Sequence, residues 1–475
     1  MGVLLVVLYV LAQFAAFRAS LDRLPPTWTV AGEPFADQTI SRVMENVQNA
    51  FDAPVVLHYY DEMRALSPES VEFKFDAAQT ADAIRRARDE SAGAVGFLRH
   101  LIFQQPEPRD LPIIAEYSEE KLRLMLSEMA LALDKPARPP APDLDSMTLS
   151  PGQDGYVLDI AASVRAVASA LTSIRQRDVE LIIDPQSAPP ASIEQLRELI
   201  QERLKAFPGN ASVFVKDLQT GGEITINTEV AFSGMSLMKI PIMSEIYRQL
   251  SQPPDVETYR LLTETLGSES GNFTANLLLR QLGDGDSFVG VDRLTSSMHY
   301  LGLHNTFMAT PYDQQDSVPP PAVNTPANSR NDVWANPDPY MQTTPEDIGL
   351  LLEMIYQCSQ GGGALMVAYP GAFTAAECGQ MIDIMKRNVI TDQEGIPTLL
   401  RGGLPEGTPF AHKHGWDFDT RADASIAFTP GGDFVLVVFL NTPNEWVDWS
   451  TANGLMVDVA RATYNYFNVK SSAKR

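Results

Sequence analysis

Cysteine is nearly absent, two in 475 residues, which excludes a disulfide-built scaffold. Positive charge is scarce too. Lys and Arg number 36 against 60 Asp and Glu, for a formal net charge of −24, so long-range forces repel a phosphate backbone and nucleic acid is not expected as a partner. No Gly-rich phosphate loop and no spaced His/Cys cluster occurs, so neither metal nor any other cofactor is called for. What is present, 44% hydrophobic and 20% charged residues, suits a globular chain of two domains.

Charge is also missing from the N-terminus: Met1 to Phe17 (MGVLLVVLYVLAQFAAF) carry none before Arg18, Asp22 and Arg23 restore polarity. Residues 1–20 therefore read as an export signal or a membrane anchor. At about 1.5 Å per residue the run spans somewhat less than a hydrocarbon core of about 30 Å. It lacks the basic leading region of a complete signal, and with no small-x-small cleavage site and no nearby Cys for a lipid an uncleaved anchor is favoured over a secreted form. A buried core helix is the plain alternative. Either export reading places the rest outside the cytoplasm, membrane-anchored or secreted.

Proline sets the organisation. PARPPAPDL at 136–144 and PQSAPPA at 185–191 are the main breaks before the midpoint, and the domain boundary is placed near 190. Upstream, the pattern predicts strands at Pro54 to Tyr60, Leu111 to Tyr117 and Val179 to Asp184, with helices at Thr80 to Ala92, Glu119 to Leu133 and Leu158 to Ile174. This is a small α+β domain with two histidines, His58 and His100, and no evident chemistry. Its stretches VAGEPFADQTISRVMENVQNAFDAPVVLHY, PIIAEYSEEKLRLMLSEMA, SPGQDGYVLDIAASVRAVASAL and VELIIDPQSAP resemble, over residues 28–188, the peptidoglycan-binding module that often stands between a membrane anchor and a cell-wall enzyme. The resemblance implies wall binding. A spacer accounts for the same apolar pattern.

Reactive residues cluster downstream. A serine and a lysine three apart on a helix are neighbours, so the amine can reach the hydroxyl proton. S-x-x-K occurs three times: Ser118–Lys121 reads better as a helix N-cap, Ser471–Lys474 lies in the tail, and only Ser236–Lys239, in AFSGMSLMKIPIMSEIYRQL, follows a strand pair (Ala211 to Asp217, Glu223 to Thr228) and opens a long apolar helix. The helix start favours negative charge on the Ser236 oxygen, and burial of Lys239 among Met238, Ile240 and Pro241 favours its neutral amine. Ser270-Gly271-Asn272 opens a second helical run, and Lys413-His414-Gly415 precedes the predicted strands Ala424 to Phe428 and Phe434 to Leu440. S-x-x-K, S-x-N and K-x-G in this order form the signature of penicillin-recognising serine hydrolases.

On these motifs residues 195–475 resemble the class A β-lactamase-like serine hydrolases, and SGNFTANLLLRQLG, QTTPEDIGLLLEMI and LLRGGLPEGTPFAHKHG extend the likeness around them. The resemblance implies an antiparallel sheet flanked by helices with an all-helical subdomain; with the smaller N-terminal α+β domain, the fold class is α+β/α/β. It also implies roles. Ser236 would be the nucleophile, Lys239 its base and Ser270 the proton shuttle to the leaving nitrogen. Asn272 would orient Lys239 and the substrate amide, and Lys413 would bind the substrate carboxylate. Gly415 and Trp416 would line the substrate, with the Ser236 and Trp416 N–H groups as oxyanion hole.

The sequence departs from that pattern in its long loop. In class A enzymes a glutamate activates the deacylating water. From Ala309 to Thr344 there is no glutamate, its expected place falls near Asn328, and Asp332 reads as the nearest carboxylate, so slow deacylation is expected. His414 alters hydrogen bonding to a bound carboxylate, and Arg421 is a candidate to share that task, weighed against a solvated surface arginine. A metal on His412 and His414 is disfavoured, because Lys413 between them would repel it. Trp416, Trp446 and Trp449 could stack on a sugar, but core packing is the plainer reading. Cys358 and Cys378 flank Gly361 to Gly363 between the helical runs Pro345 to Gln357 and Thr374 to Asn388; a helix hairpin would bring them to disulfide distance, and two buried thiols are the alternative.

The expected activity is that of an extracytoplasmic serine hydrolase, acylated at Ser236 by β-lactams or D-alanyl peptides of peptidoglycan and held at a membrane through residues 1–20. The alternative is a non-catalytic wall-binding protein that uses the same pocket for recognition.

Overall fold

Proline or glycine marks each place where the chain passes from one unit to the other. In the computed structural model, which describes residues 2–250 and 253–472, one unit contains the residues up to Arg138 together with Gln153–Ala188, and the other contains Pro139–Gly152 and the chain from Pro189 onward. Met1, and Lys474 of the third S-x-x-K, lie outside the described residues. The span 28–188 is therefore interrupted. A hairpin pairing Ala141–Asp143 with Thr148–Ser150 belongs to the second unit, because Met147 and Leu149 are buried there against Leu196 and Leu199.

In the first unit, Val55–Tyr59 is flanked by Glu62–Leu66, antiparallel, and Asp178–Glu180, parallel. The helices Glu119–Leu133 and Ile160–Leu171 bury Leu122, Leu126, Val164 and Val167 against this sheet. Two predicted strands come apart. Residues 111–117 form two short pieces, Arg109–Leu111 and Ala115–Glu116, with Pro112 between them, since proline has no N–H for a ladder. Residues 179–184 are divided between Asp178–Glu180 and Ile183–Gln186, which pairs instead with Gly155–Leu158. The N-terminal apolar run is a helix, Gly2–Ser20, whose Phe14 and Phe17 pack on Phe97 of the helix Ala94–Leu101, with ring centres 5.2 and 5.6 Å apart. Among the described residues no helix is long and apolar enough to cross a membrane.

The second unit is built on a five-stranded antiparallel sheet in the order Glu223–Ile226, Asn210–Asp217, Phe434–Asn441, Thr420–Ala427, Phe410–Trp416. Successive side chains of a strand point to opposite faces, so a strand covered on both faces must be apolar throughout. Phe434–Asn441 is such a strand. Phe434, Leu436, Val438 and Leu440 pack on the side of the helices Ile193–Leu204 and Trp449–Ser472, whereas Val435, Val437 and Phe439 face the helical subdomain. Phe439 stacks on Phe232 with ring centres 4.9 Å apart, and truncating it to Ala would cost about 3–5 kcal/mol. The helix Pro345–Ser359 approaches the sheet at Gly349, where a Cβ would lie 2.2 Å from the Phe214 ring. Lys239–Gln249, Val256–Leu266, Asn272–Leu282, Ser287–Tyr300 and Ala375–Met385 complete the subdomain.

Candidate active site

Three elements converge between sheet and helical subdomain. Ser236 lies in a single 3₁₀ turn, Met235–Met238, which runs directly into the apolar helix Lys239–Gln249. Ser270 closes the connection into the helix Asn272–Leu282, and Lys413 sits on the edge strand Phe410–Trp416. Met235 (φ 47°) and Ser270 (φ 49°) both hold left-handed backbone, a strain of about 1–3 kcal/mol each that the surroundings must impose. One constraint is visible: the Tyr312 hydroxyl donates to the Met235 carbonyl at 2.8 Å.

The Lys239 amine is fully buried and within reach of four oxygens: Ser236 Oγ (2.9 Å), Ser270 O (2.6 Å), Ser270 Oγ (3.1 Å) and Asn272 Oδ1 (2.8 Å). Burial lowers its pKa to about 8, opposed in part by the Asp313 carboxylate. Ser270 Oγ donates to Ser236 Oγ at 3.0 Å and accepts from Lys413 Nζ at 2.8 Å. Ser236, Ser270 and both lysines thus form one continuous hydrogen-bonded chain. Burial, and then the neighbouring Lys239, hold Lys413 well below an ordinary lysine pKa.

The edge strand divides its residues by parity. A Cβ at Gly415 would lie 3.4 Å from the Ser236 nitrogen, so Lys413 and Gly415 face the serine. His412 and His414 point the other way and share Asn388, whose carbonyl lies 2.8 Å from His412 Nε2 and whose Oδ1 lies 3.2 Å from His414 Nδ1. The other His412 nitrogen lies 2.9 Å from Asp423, so neither ring nitrogen of His412 is left for a metal. Burial, with Lys413 next in weight, pushes His414 down to about 2 and keeps its ring neutral. Arg421 pairs across the ladder with Trp416, out of phase with Lys413. Buried rather than surface-solvated, its guanidinium donates to the Asp417 and Thr420 carbonyls and lies 5.6 and 4.8 Å from the Trp416 and Trp446 ring centres. The tryptophans read as core are not core. Trp416, Trp446 and Trp449 are 64%, 57% and 42% exposed.

The long loop also differs from its sequence reading. Asp332 is exposed and held to about 2, chiefly by hydrogen bonding to Arg330 at 2.6 Å, and Asn328 braces the loop through Val323 and Gln342. The carboxylate that faces the site is Asp313. Both its oxygens accept from Asn272 Nδ2 at 3.2 Å, and Tyr312 beside it exchanges hydrogen bonds with Asn276, one helical turn beyond Asn272. Of the other S-x-x-K pairs, Ser118 caps its helix by accepting from Lys121 N, and Lys121 pairs with Glu72 at 2.8 Å. Cys358 and Cys378 are joined as a disulfide with Cα atoms 5.7 Å apart.

An amine that can take a proton from a neighbouring alcohol, with a second hydroxyl and a second lysine in line, is the equipment of a serine hydrolase. The sequence profile of the β-lactamase enzyme family matches residues 194–254 and 251–467, and the chain belongs to that family. Among solved structures it is similar to PBP-A (19% identity, 60% of this chain and 100% of that one, TM-score 0.43). It is likewise similar to a class A β-lactamase from Mycobacterium abscessus (20% identity, 57% and 99%, TM-score 0.42). A third is a β-lactamase from Xanthomonas campestris pv. campestris (20% identity, 57% and 97%, TM-score 0.42). No protein of curated function matches.

Proposed function

We propose that the second unit forms an acyl-enzyme at Ser236 with β-lactams or with D-alanyl peptides of peptidoglycan, and that deacylation is slow. The observation that carries this reading is the chain Lys239–Ser236–Ser270–Lys413, every link between 2.8 and 3.0 Å. Neutral Lys239 accepts the Ser236 proton as Oγ attacks the carbonyl. Ser270 then carries a proton to the leaving nitrogen, and Asn272 holds Lys239 in line. The Ser236 and Trp416 N–H groups stabilise the oxyanion, and Gly415 leaves room beside them. A substrate carboxylate binds at Lys413. Slow deacylation is supported by the loop, which has no glutamate from Ala309 to Thr344 to hold a water.

Placement outside the cytoplasm, anchored through residues 1–20, is part of the same proposal. It is supported by the Cys358–Cys378 disulfide and by exposed apolar side chains from Leu4 to Leu11. The first unit would then be the wall-contacting or spacing module.

Intact-mass measurement after incubation with penicillin tests the chemistry. One adduct mapping to Ser236 and persisting for many minutes is expected, absent from Ser236→Ala and Lys239→Ala and unchanged in Ser118→Ala. Prompt release would make the protein a β-lactamase. No adduct with any β-lactam or D-alanyl peptide would leave recognition without turnover.

A further inference from the structure

The first unit contains a cavity of about 670 Å³ beside the C-terminal end of the helix Gly2–Ser20, with Arg23, Arg88, Arg99 and His100 among its lining residues. Arg88 is 6% exposed. One nitrogen, Nη2, donates to the Ser20 carbonyl at 2.9 Å, while buried Nε finds no acceptor and no carboxylate pairs with the guanidinium among the described residues. Arg177 in the same unit also leaves its Nε without an acceptor, but its other two nitrogens donate to four backbone carbonyls, of Phe51, Ala53, Ala170 and Leu171, so the two arginines differ in how far the rest of the fork is satisfied. The Arg88 guanidinium, with one backbone acceptor and the Trp28 ring centre 5.6 Å away, keeps unsatisfied N–H groups out of water, which is costly unless an anion completes it. Both carboxylates that line the cavity are exposed, and Glu90 is already paired with Arg109 at 3.2 Å.

Part of the wall is apolar and leads outward. Phe17, Leu24 and Phe103 line the cavity, and Val95, Leu98, Ile102 and Phe103 along the helix Ala94–Leu101 and just after it are 59–85% exposed. A cationic interior opening onto an apolar strip fits a ligand with an anionic head and a hydrocarbon tail, and arginine forks suit a phosphate with several acceptor oxygens. We propose that this cavity binds the phosphate head of an anionic amphiphile, held by Arg88 and by Arg99, which would turn to it from its exposed partner Glu107 at 3.2 Å, while the tail lies along Val95, Leu98 and Phe103. The proposal is independent of the chemistry at Ser236.

The test is calorimetric titration of the full chain in neutral detergent with monomeric dihexanoyl phosphatidylglycerol, dihexanoyl phosphatidylcholine and inorganic phosphate. Saturable one-site binding of phosphatidylglycerol is expected, at least about tenfold tighter than phosphatidylcholine and weakened about tenfold or more in Arg88→Gln and in Arg99→Gln. Inorganic phosphate that binds, and is lost in the same variants, would support the oxyanion site with a free anion as its source. Equal binding of both lipids, affinity unchanged in the variants, or no binding of any probe would overturn the proposal. If Arg88→Gln unfolds the first unit, judged by circular dichroism, Arg99→Gln at the half-buried rim carries the test alone.

Discussion

If Lys239 is the base for acylation, the rate must follow the fraction of its amine that is neutral. A pKa of about 8 leaves roughly 1% neutral at pH 6, about 9% at pH 7, half at pH 8 and about 90% at pH 9. The second-order rate constant for labelling by a fluorescent penicillin should therefore rise about tenfold from pH 6 to 7, about fivefold from 7 to 8 and less than about twofold from 8 to 9, then level off. A lysine at its ordinary value of 10.5 would keep climbing about tenfold per unit past pH 9. Stopped-flow labelling from pH 6 to 10 distinguishes the two. A log-linear rise through pH 10, or a rate flat from pH 6, would refute the assignment of Lys239 as a buried base. The same shift has a stability sign. The folded chain binds this proton less tightly than the unfolded one, so the Lys239 contribution to unfolding free energy increases with pH between about 8 and 10.5.

Asp313→Asn removes the charge that opposes burial, so the rising limb should move to lower pH, whereas Asp332→Asn, whose carboxylate is paired with Arg330, should leave the profile in place; the same stopped-flow series reads both. Ser270→Ala cuts the link between Lys413 and Ser236 and should lower acylation by roughly 10²–10⁴-fold while thermal unfolding stays near wild type. A carboxylate bound at Lys413 would favour the ammonium form that burial disfavours, so penicillin binding should take up a proton over the pH range between the free and bound values, seen as a calorimetric enthalpy that varies with buffer ionisation heat in the wild type and no longer in Lys413→Ala. Reducing Cys358–Cys378, which spans 20 residues, should destabilise the second unit by about 3 kcal/mol, measured as a drop in melting temperature with reductant.

The site residues that the sequence revealed are those whose relation is local or repeated in order. Ser236 and Lys239 are one helical turn apart, and Ser270 and Asn272 sit at the mouth of a helix, so spacing alone places each pair on one face. Asp313 was hidden because its partner Asn272 lies 41 residues away. The loop between them and Thr343 is long and proline-rich, so counting back from Thr343 lands on Asn328, which serves the loop itself. The readable signal lay on the other side, in Tyr312-Asp313 four residues after the short strand Phe307–Met308. The hairpin at 139–152 was hidden for a related reason. Proline content marks where a chain turns, not which core the next apolar pair, Met147 and Leu149, will join.

Parity on the edge strand accounts for the rest. The K-x-G motif fixes Lys413 and Gly415 on one face, and a one-residue slip would put His412 and His414 against Ser236 instead. Register is held from the far side by His412, wedged between Asp423 and the Asn388 carbonyl. His412, for which the sequence disfavoured a metal, therefore braces the strand that aims the lysine. The same strand is the edge of the sheet, so on one side Trp416 has no ladder partner. Lysine, glycine and exposed tryptophan are then one arrangement: a buried amine toward the serine, no side chain beside the Ser236 nitrogen, and a strand edge that no other strand covers.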